Sequence, residues 1–153
     1  MEPMDKRSAL WPPALVYLAG VAVVVLWPDP VDRPASGDLA NAIAWLHAGG
    51  LPRWIGYVQI EWLANVAFFV PFGAFAVLLG FPAWAGVLAG AGFSAAAEAA
   101  QLALLPERTA SLWDIAANAL GTMLGAAAVA AVARLRSRRH GLPGPARGTA
   151  REP

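Results

Sequence analysis

Residues 94–125 read SAAAEAAQLALLPERTASLWDIAANALGTMLG. Two segments here are apolar enough to lie in a bilayer, yet Glu98, Gln101, Arg108, Asp114 and Asn118 stand inside and between them. An ionisable side chain at membrane depth costs free energy, so it persists where it pairs with another polar group or lines a polar cavity. The stretch therefore predicts helices that cross a membrane, and it marks where a site should be sought.

The whole chain agrees with that reading. Of its 153 residues 58% are hydrophobic and only 14% charged, too apolar and too poor in charge for an ordinary soluble domain. At about 20 residues per crossing plus loops, the length allows one domain of about four spans and leaves no room for a separate soluble catalytic domain. The chain has no cysteine, which excludes a disulfide, a thiolate metal site and a cysteine nucleophile.

Outward from the opening stretch, the third span is expected at 83–104 and the fourth at 112–133, with Ser111 and Asp114 matching a capping box at the start of the fourth. The second runs from 61 to 80, and Gly80-Phe81-Pro82 joins it to the third so tightly that the two must be antiparallel neighbours. The first is expected from Trp11 to Trp27. It follows Lys6 and Arg7 as a signal peptide would, but it is long and ends in Trp-Pro-Asp-Pro rather than a cleavage site, so it reads as a retained span. Between the first two spans, Asp38 is placed to cap a short helix ending at Gly49-Gly50, whose Leu39, Ile43 and Leu46 share a face. About ten residues are too few to cross, so this helix is expected to lie on the membrane surface, near Trp45, Trp54, Tyr57 and Trp62. His47 reads as an interfacial polar residue, with no second metal-ligand candidate beside it. The predicted architecture is all-α: an integral membrane four-helix bundle over 11–133 with a short interfacial helix between spans one and two. A cytoplasmic N-terminus, 1–10, precedes it and a basic, Gly/Pro-rich tail, 134–153, expected to be disordered, follows.

Basic residues set the orientation. Lys6, Arg7, Arg134, Arg136, Arg138, Arg139, Arg147 and Arg151 fall on one side of a four-span protein, against Arg33, Arg53 and Arg108 on the other. Positive residues mark the cytoplasmic side, so both termini are expected there. The tail reads as a topology determinant and anionic-lipid contact rather than a nucleic-acid arm. With that orientation Asn65, Glu98, Gln101, Arg108, Asp114 and Asn118 converge near the outer surface. On the fourth helix Asp114, Asn118, Gly121 and Gly125 form one stripe, on the third Gly90, Ser94, Glu98 and Gln101 form another, and on the second Glu61, Asn65, Phe68 and Phe72 form a third. Gly121 and Gly125 make a GxxxG packing motif. Pro71, with Gly73, is expected to kink the second span and shape a pocket, or to serve packing alone. The picture is a bundle packed tightly below and opening into a polar pocket above.

Each polar residue also has a structural reading. Asp114 can be only a capping residue, Asn65 and Asn118 can be interhelical hydrogen bonds of about 1 kcal/mol each, and Arg108 can pair with Glu107 or headgroups in an exposed loop. Glu98 is the hardest to account for this way.

The residues Asn65-Val-Ala-Phe-Phe-Val-Pro71-Phe-Gly73, then Glu98-Ala-Ala-Gln101, then Arg108, Asp114, Asn118, Gly121 and Gly125 make the chain resemble the VanZ-like membrane proteins over about 61–128. The resemblance implies a bacterial inner-membrane protein, linked in some members to low-level teicoplanin resistance. It supplies no biochemical activity.

Three functional readings stay open. The first is a non-catalytic protein whose outer-leaflet pocket, formed by Asn65, Glu98, Gln101, Arg108, Asp114 and Asn118, binds an envelope lipid, a lipid-linked precursor or a lipoglycopeptide. The second is a membrane enzyme on a lipid-linked envelope precursor, with Glu98 and Asp114 dividing acid and base roles and Arg108 stabilising phosphate charge. The third is transport, for which the lack of mid-depth charge makes a poor path. The first is favoured. No cofactor, metal or nucleic-acid partner is expected.

Overall fold

Gly80 and Pro82 make a tight turn between two long helices. Gly80 has φ of +98°, a left-handed conformation that side chains resist. Its N–H and that of Phe81 reach back to the carbonyls of Val77 and Ala76, closing the end of the preceding helix in a Schellman arrangement. Gly50, φ +103°, ends the interfacial helix in the same way, with Leu51 donating to the Leu46 carbonyl.

The computed structural model describes residues 7–26, 36–104 and 111–140. A single 3₁₀ turn, Ser8–Leu10, leads into α1, Trp11–Val25, with Pro12 and Pro13 in its first turn, where a missing N–H is harmless. Then follow α2, Ser36–Ala48; α3, Tyr57–Leu78; α4, Ala83–Leu104; and α5, Leu112–His140. Among the described residues the fold is all-α, and four helical segments, all but α2, are long and apolar enough to cross a membrane.

The bundle is built on α5, which packs most extensively against α3 and next against α4. Glycine makes this close approach feasible. A Cβ at Gly73 of α3 would overlap the Thr122 backbone of α5, and one at Gly121 or Gly125 would overlap the Val66 or Val70 carbonyl of α3. On the α4 side, a Cβ at Gly90 would collide with the Thr122 side chain, and one at Gly86 would lie 2.8 Å from the Ala76 Cβ of α3. In a bilayer there is little hydrophobic drive between helices, so small residues that let backbones meet are what hold them together.

The buried seam of α3 is Val66, Phe69 and Gly73, one position away from the expected Asn65–Phe68–Phe72 stripe. Gly73 therefore acts at a helix crossing, and α3 continues as one helix through Pro71. Near the proline, Tyr17 of α1 donates its hydroxyl to the Phe68 carbonyl at 2.6 Å. This supplies a donor one residue beyond Ala67, whose carbonyl Pro71 cannot serve.

Apart from that bond, α1 touches the rest sparingly and lies along the outside of a three-helix core. Leu15, Val16, Val23, Leu88, Leu102, Met123, Leu124 and Val132 are exposed around the bundle. Such an apolar girdle suits lipid, where a soluble protein would face aggregation.

Other boundaries differ from expectation. α3 starts at Tyr57 rather than 61, because Gln59 takes the N–H of the preceding Gly56 at 2.9 Å and closes the helix start there. α5 runs on to His140, so 134–140, expected within the disordered tail, is helical; 141–153 lies outside the described residues. On α2 the half-buried face is Leu39, Ile43 and His47, while Leu46 is exposed. His47 Nε2 donates to the Ile55 carbonyl at 2.9 Å, pinning the connection to α3.

Candidate functional site

At the end of the bundle where α3 begins, α4 ends and α5 begins, the helices splay around a cleft of about 350 Å³. Glu61 and Asn65 line it from α3, Glu98 and Gln101 from α4, and Asp114 and Asn118 from α5. Val24 and Val25 of α1, Leu39 of α2 and Phe68 and Phe69 of α3 supply its apolar wall. Five of the six candidate site residues thus border one space. Arg108, the sixth, lies outside the described residues.

Hydrogen bonds fix this geometry. Glu98 is buried, and its Oε2 accepts the Ser111 N–H at 2.8 Å. That amide belongs to the N-cap of α5, where backbone donors lack helical partners and the positive end of the helix dipole favours an anion. The expected capping box is therefore only half formed: the Asp114 N–H approaches Ser111 Oγ at 3.4 Å, while the reciprocal role goes to Glu98 from the neighbouring helix. Released from that duty, Asp114 Oδ1 accepts Asn65 Nδ2 at a long 3.3 Å, linking α5 to α3. Gln101 Nε2 donates to the carbonyl of Val25, tying the end of α1 to α4.

Deeper in, Asn118 Nδ2 donates to Ser94 Oγ at 2.8 Å, and Thr122 Oγ1 donates to the Asn118 carbonyl at 2.8 Å. Asn118 is only 7% exposed, and its Oδ1 is buried without a hydrogen-bond partner. A buried acceptor left without a donor costs about 1–3 kcal/mol. Below it Thr122, Gly121 and Gly125 close the bundle. Among the described residues no group of three or more His, Asp and Glu is gathered to hold a metal ion.

Sequence reasoning missed Tyr17 and Thr122. Thr122 had a usable signal, its position four residues after Asn118 on the same face. Tyr17 had none, because its partner is a backbone carbonyl remote in sequence.

A family model described as VanZ/LLP1 matches residues 14–134. The chain belongs to the VanZ/LLP1 family. The match takes in nearly all of α1 and the whole of α2, α3 and α4, and runs into α5 as far as residue 134. In this VanZ/LLP1 protein the family region therefore includes α1 and the interfacial helix, beyond the 61–128 core that carries the recognisable motifs. No curated protein and no solved structure matches the chain.

Proposed function

We propose that this VanZ/LLP1 membrane protein binds an amphiphile, its polar head in the cleft between α3, α4 and α5 and its chain along the apolar wall. The observation that carries this is the unpartnered Oδ1 of Asn118 at the floor of a cleft otherwise bordered by polar side chains and by Val24, Val25, Phe68 and Phe69. Burying polar groups is unfavourable unless they are bonded, and a ligand head would supply the missing donor. The volume, at the small end of ligand pockets, suits a headgroup and the first part of a chain. From the distribution of basic residues the cleft faces the outer leaflet of a bacterial inner membrane, both termini cytoplasmic. An envelope lipid, a lipid-linked precursor or a lipoglycopeptide fits that position, and a contribution to teicoplanin resistance is the physiological effect to look for.

The enzymatic alternative has less support. Acid–base work needs a carboxyl group free to exchange protons with a substrate, whereas Glu98 holds the first turn of α5.

Ala64 also lines the cleft and is exposed, so Ala64→Trp plugs it without removing any of its hydrogen bonds. A lipid analogue with a diazirine in its chain should crosslink to α3 and α4 in the wild type, and the yield should fall severalfold in Ala64→Trp. An unchanged yield and site of crosslinking would sink the proposal. In a teicoplanin-susceptible host, expression of the wild type should raise the inhibitory concentration and Ala64→Trp should not.

A further inference from the structure

The cleft has a chemical sign. Between residues 61 and 118 the chain carries Glu61, Glu98, Glu107 and Asp114 against one basic residue, Arg108. Glu61, Glu98 and Asp114 line the cleft, and no lysine, arginine or histidine is among its described lining residues. Even with Arg108 set against one carboxylate, this end of the bundle carries excess negative charge. The neutral group at the floor has the same appetite: Asn118 gives an N–H to Ser94 and keeps an acceptor, Oδ1, without a donor, in a side chain only 7% exposed. The described lining of the cleft therefore holds no cationic donor, and its floor keeps an acceptor that no donor reaches.

We propose that the head it receives is a protonated amine, carried on an aliphatic chain. The assignment rests on the amphiphile-binding reading above and narrows it. An ammonium group offers three N–H donors and a compact positive charge. It can give one hydrogen bond to Asn118 Oδ1 and others to the carboxylates. A carboxylate has about four lone-pair positions, so it can accept from an ammonium group as well as from a neighbouring side chain or backbone N–H. Bonds from an ionised donor to an ionised acceptor are roughly twice as strong as neutral ones. A phosphate head has the opposite character: it is negative and mainly an acceptor, so it would meet like charge and leave Asn118 unsatisfied. A quaternary ammonium has the charge but no N–H. The wall of Val24, Val25, Phe68 and Phe69 takes the first methylenes behind the head.

The test uses the full chain in nanodiscs of neutral phosphatidylcholine, challenged at equal concentration and near-neutral pH with dodecylamine, dodecyltrimethylammonium, dodecyl phosphate and butylamine. Native mass spectrometry reads which probe stays bound. Dodecylamine should be retained about tenfold over dodecyl phosphate and butylamine, and severalfold over the trimethylammonium probe. Glu61→Gln, at an exposed position on the rim, should lower dodecylamine retention severalfold. Equal retention of all dodecyl probes, or preference for dodecyl phosphate, overturns the amine assignment while amphiphile binding stands. Butylamine held as well as dodecylamine overturns it too, because the occupant is then a soluble amine. Retention of no dodecyl probe overturns both readings.

Discussion

Replacing Gly125 with alanine adds one methyl group at the point where α5 crosses α3. That methyl carbon would lie 2.8 Å from the Val70 carbonyl carbon, 2.9 Å from Ala74 N, and closer still to the Val70 oxygen. Ordinary contact begins at 3.4 Å, so the backbones must part by roughly 0.6 Å for the carbon alone, a gap that already forfeits a quarter to a half of each dispersion well. With about 0.1–0.2 kcal/mol per atom pair and some tens of pairs along the seam, the loss comes to about 1–3 kcal/mol, the usual range for overpacking. Gly92→Ala and Gly20→Ala are the controls, since a Cβ at either position meets nothing within 4 Å. Both should be neutral or slightly stabilising, because alanine favours helix over glycine by about 0.5–1 kcal/mol. Unfolding in mixed micelles with increasing dodecyl sulfate, followed by tryptophan fluorescence, should rank Gly125→Ala well below both controls. If Gly125→Ala unfolds together with Gly92→Ala, the backbone contact between α3 and α5 is not what holds this bundle.

Gln101→Leu removes the bond from α4 to the last carbonyl of α1. Interhelical bonds of this kind contribute about 0.6–1 kcal/mol, so hydrogen exchange at the end of α1 should quicken about threefold to fivefold, with α5 unchanged. Equal exchange in the two proteins would mean that the bond does not retain α1. Orientation can be read directly because the chain has no cysteine. Trp54→Cys should react with an impermeant maleimide in intact cells and Ser137→Cys only after permeabilisation; the reverse pattern would invert the topology.

The helices and the convergence of their polar residues were legible because charge and amide groups stand out against a sequence of alanine, leucine and valine. The start of α4 followed from Gly80 and Pro82, which act locally. The packing face of α3 was not legible. Beyond Asn65 that helix is apolar on every side, and its seam, Val66–Phe69–Gly73, is chosen by shape against Gly121 and Gly125 rather than by polarity. The capping role of Glu98 was hidden for a related reason: a capping box is recognised within one helix, whereas here the second member comes from α4. The outward turn of Leu46 reflects His47 and Ile55, a contact across a turn that helical periodicity does not encode.

The place of α5 in the bundle has a consequence for biosynthesis. Spans leave the ribosome in order, and the fourth is the one on which α3 and α4 pack. Until it arrives, α3 and α4 are in the membrane with their glycine faces open to lipid, and Ser94 and Glu98 lack the partners that Asn118 and Ser111 later provide. The core of the bundle therefore closes only when α5 is in place.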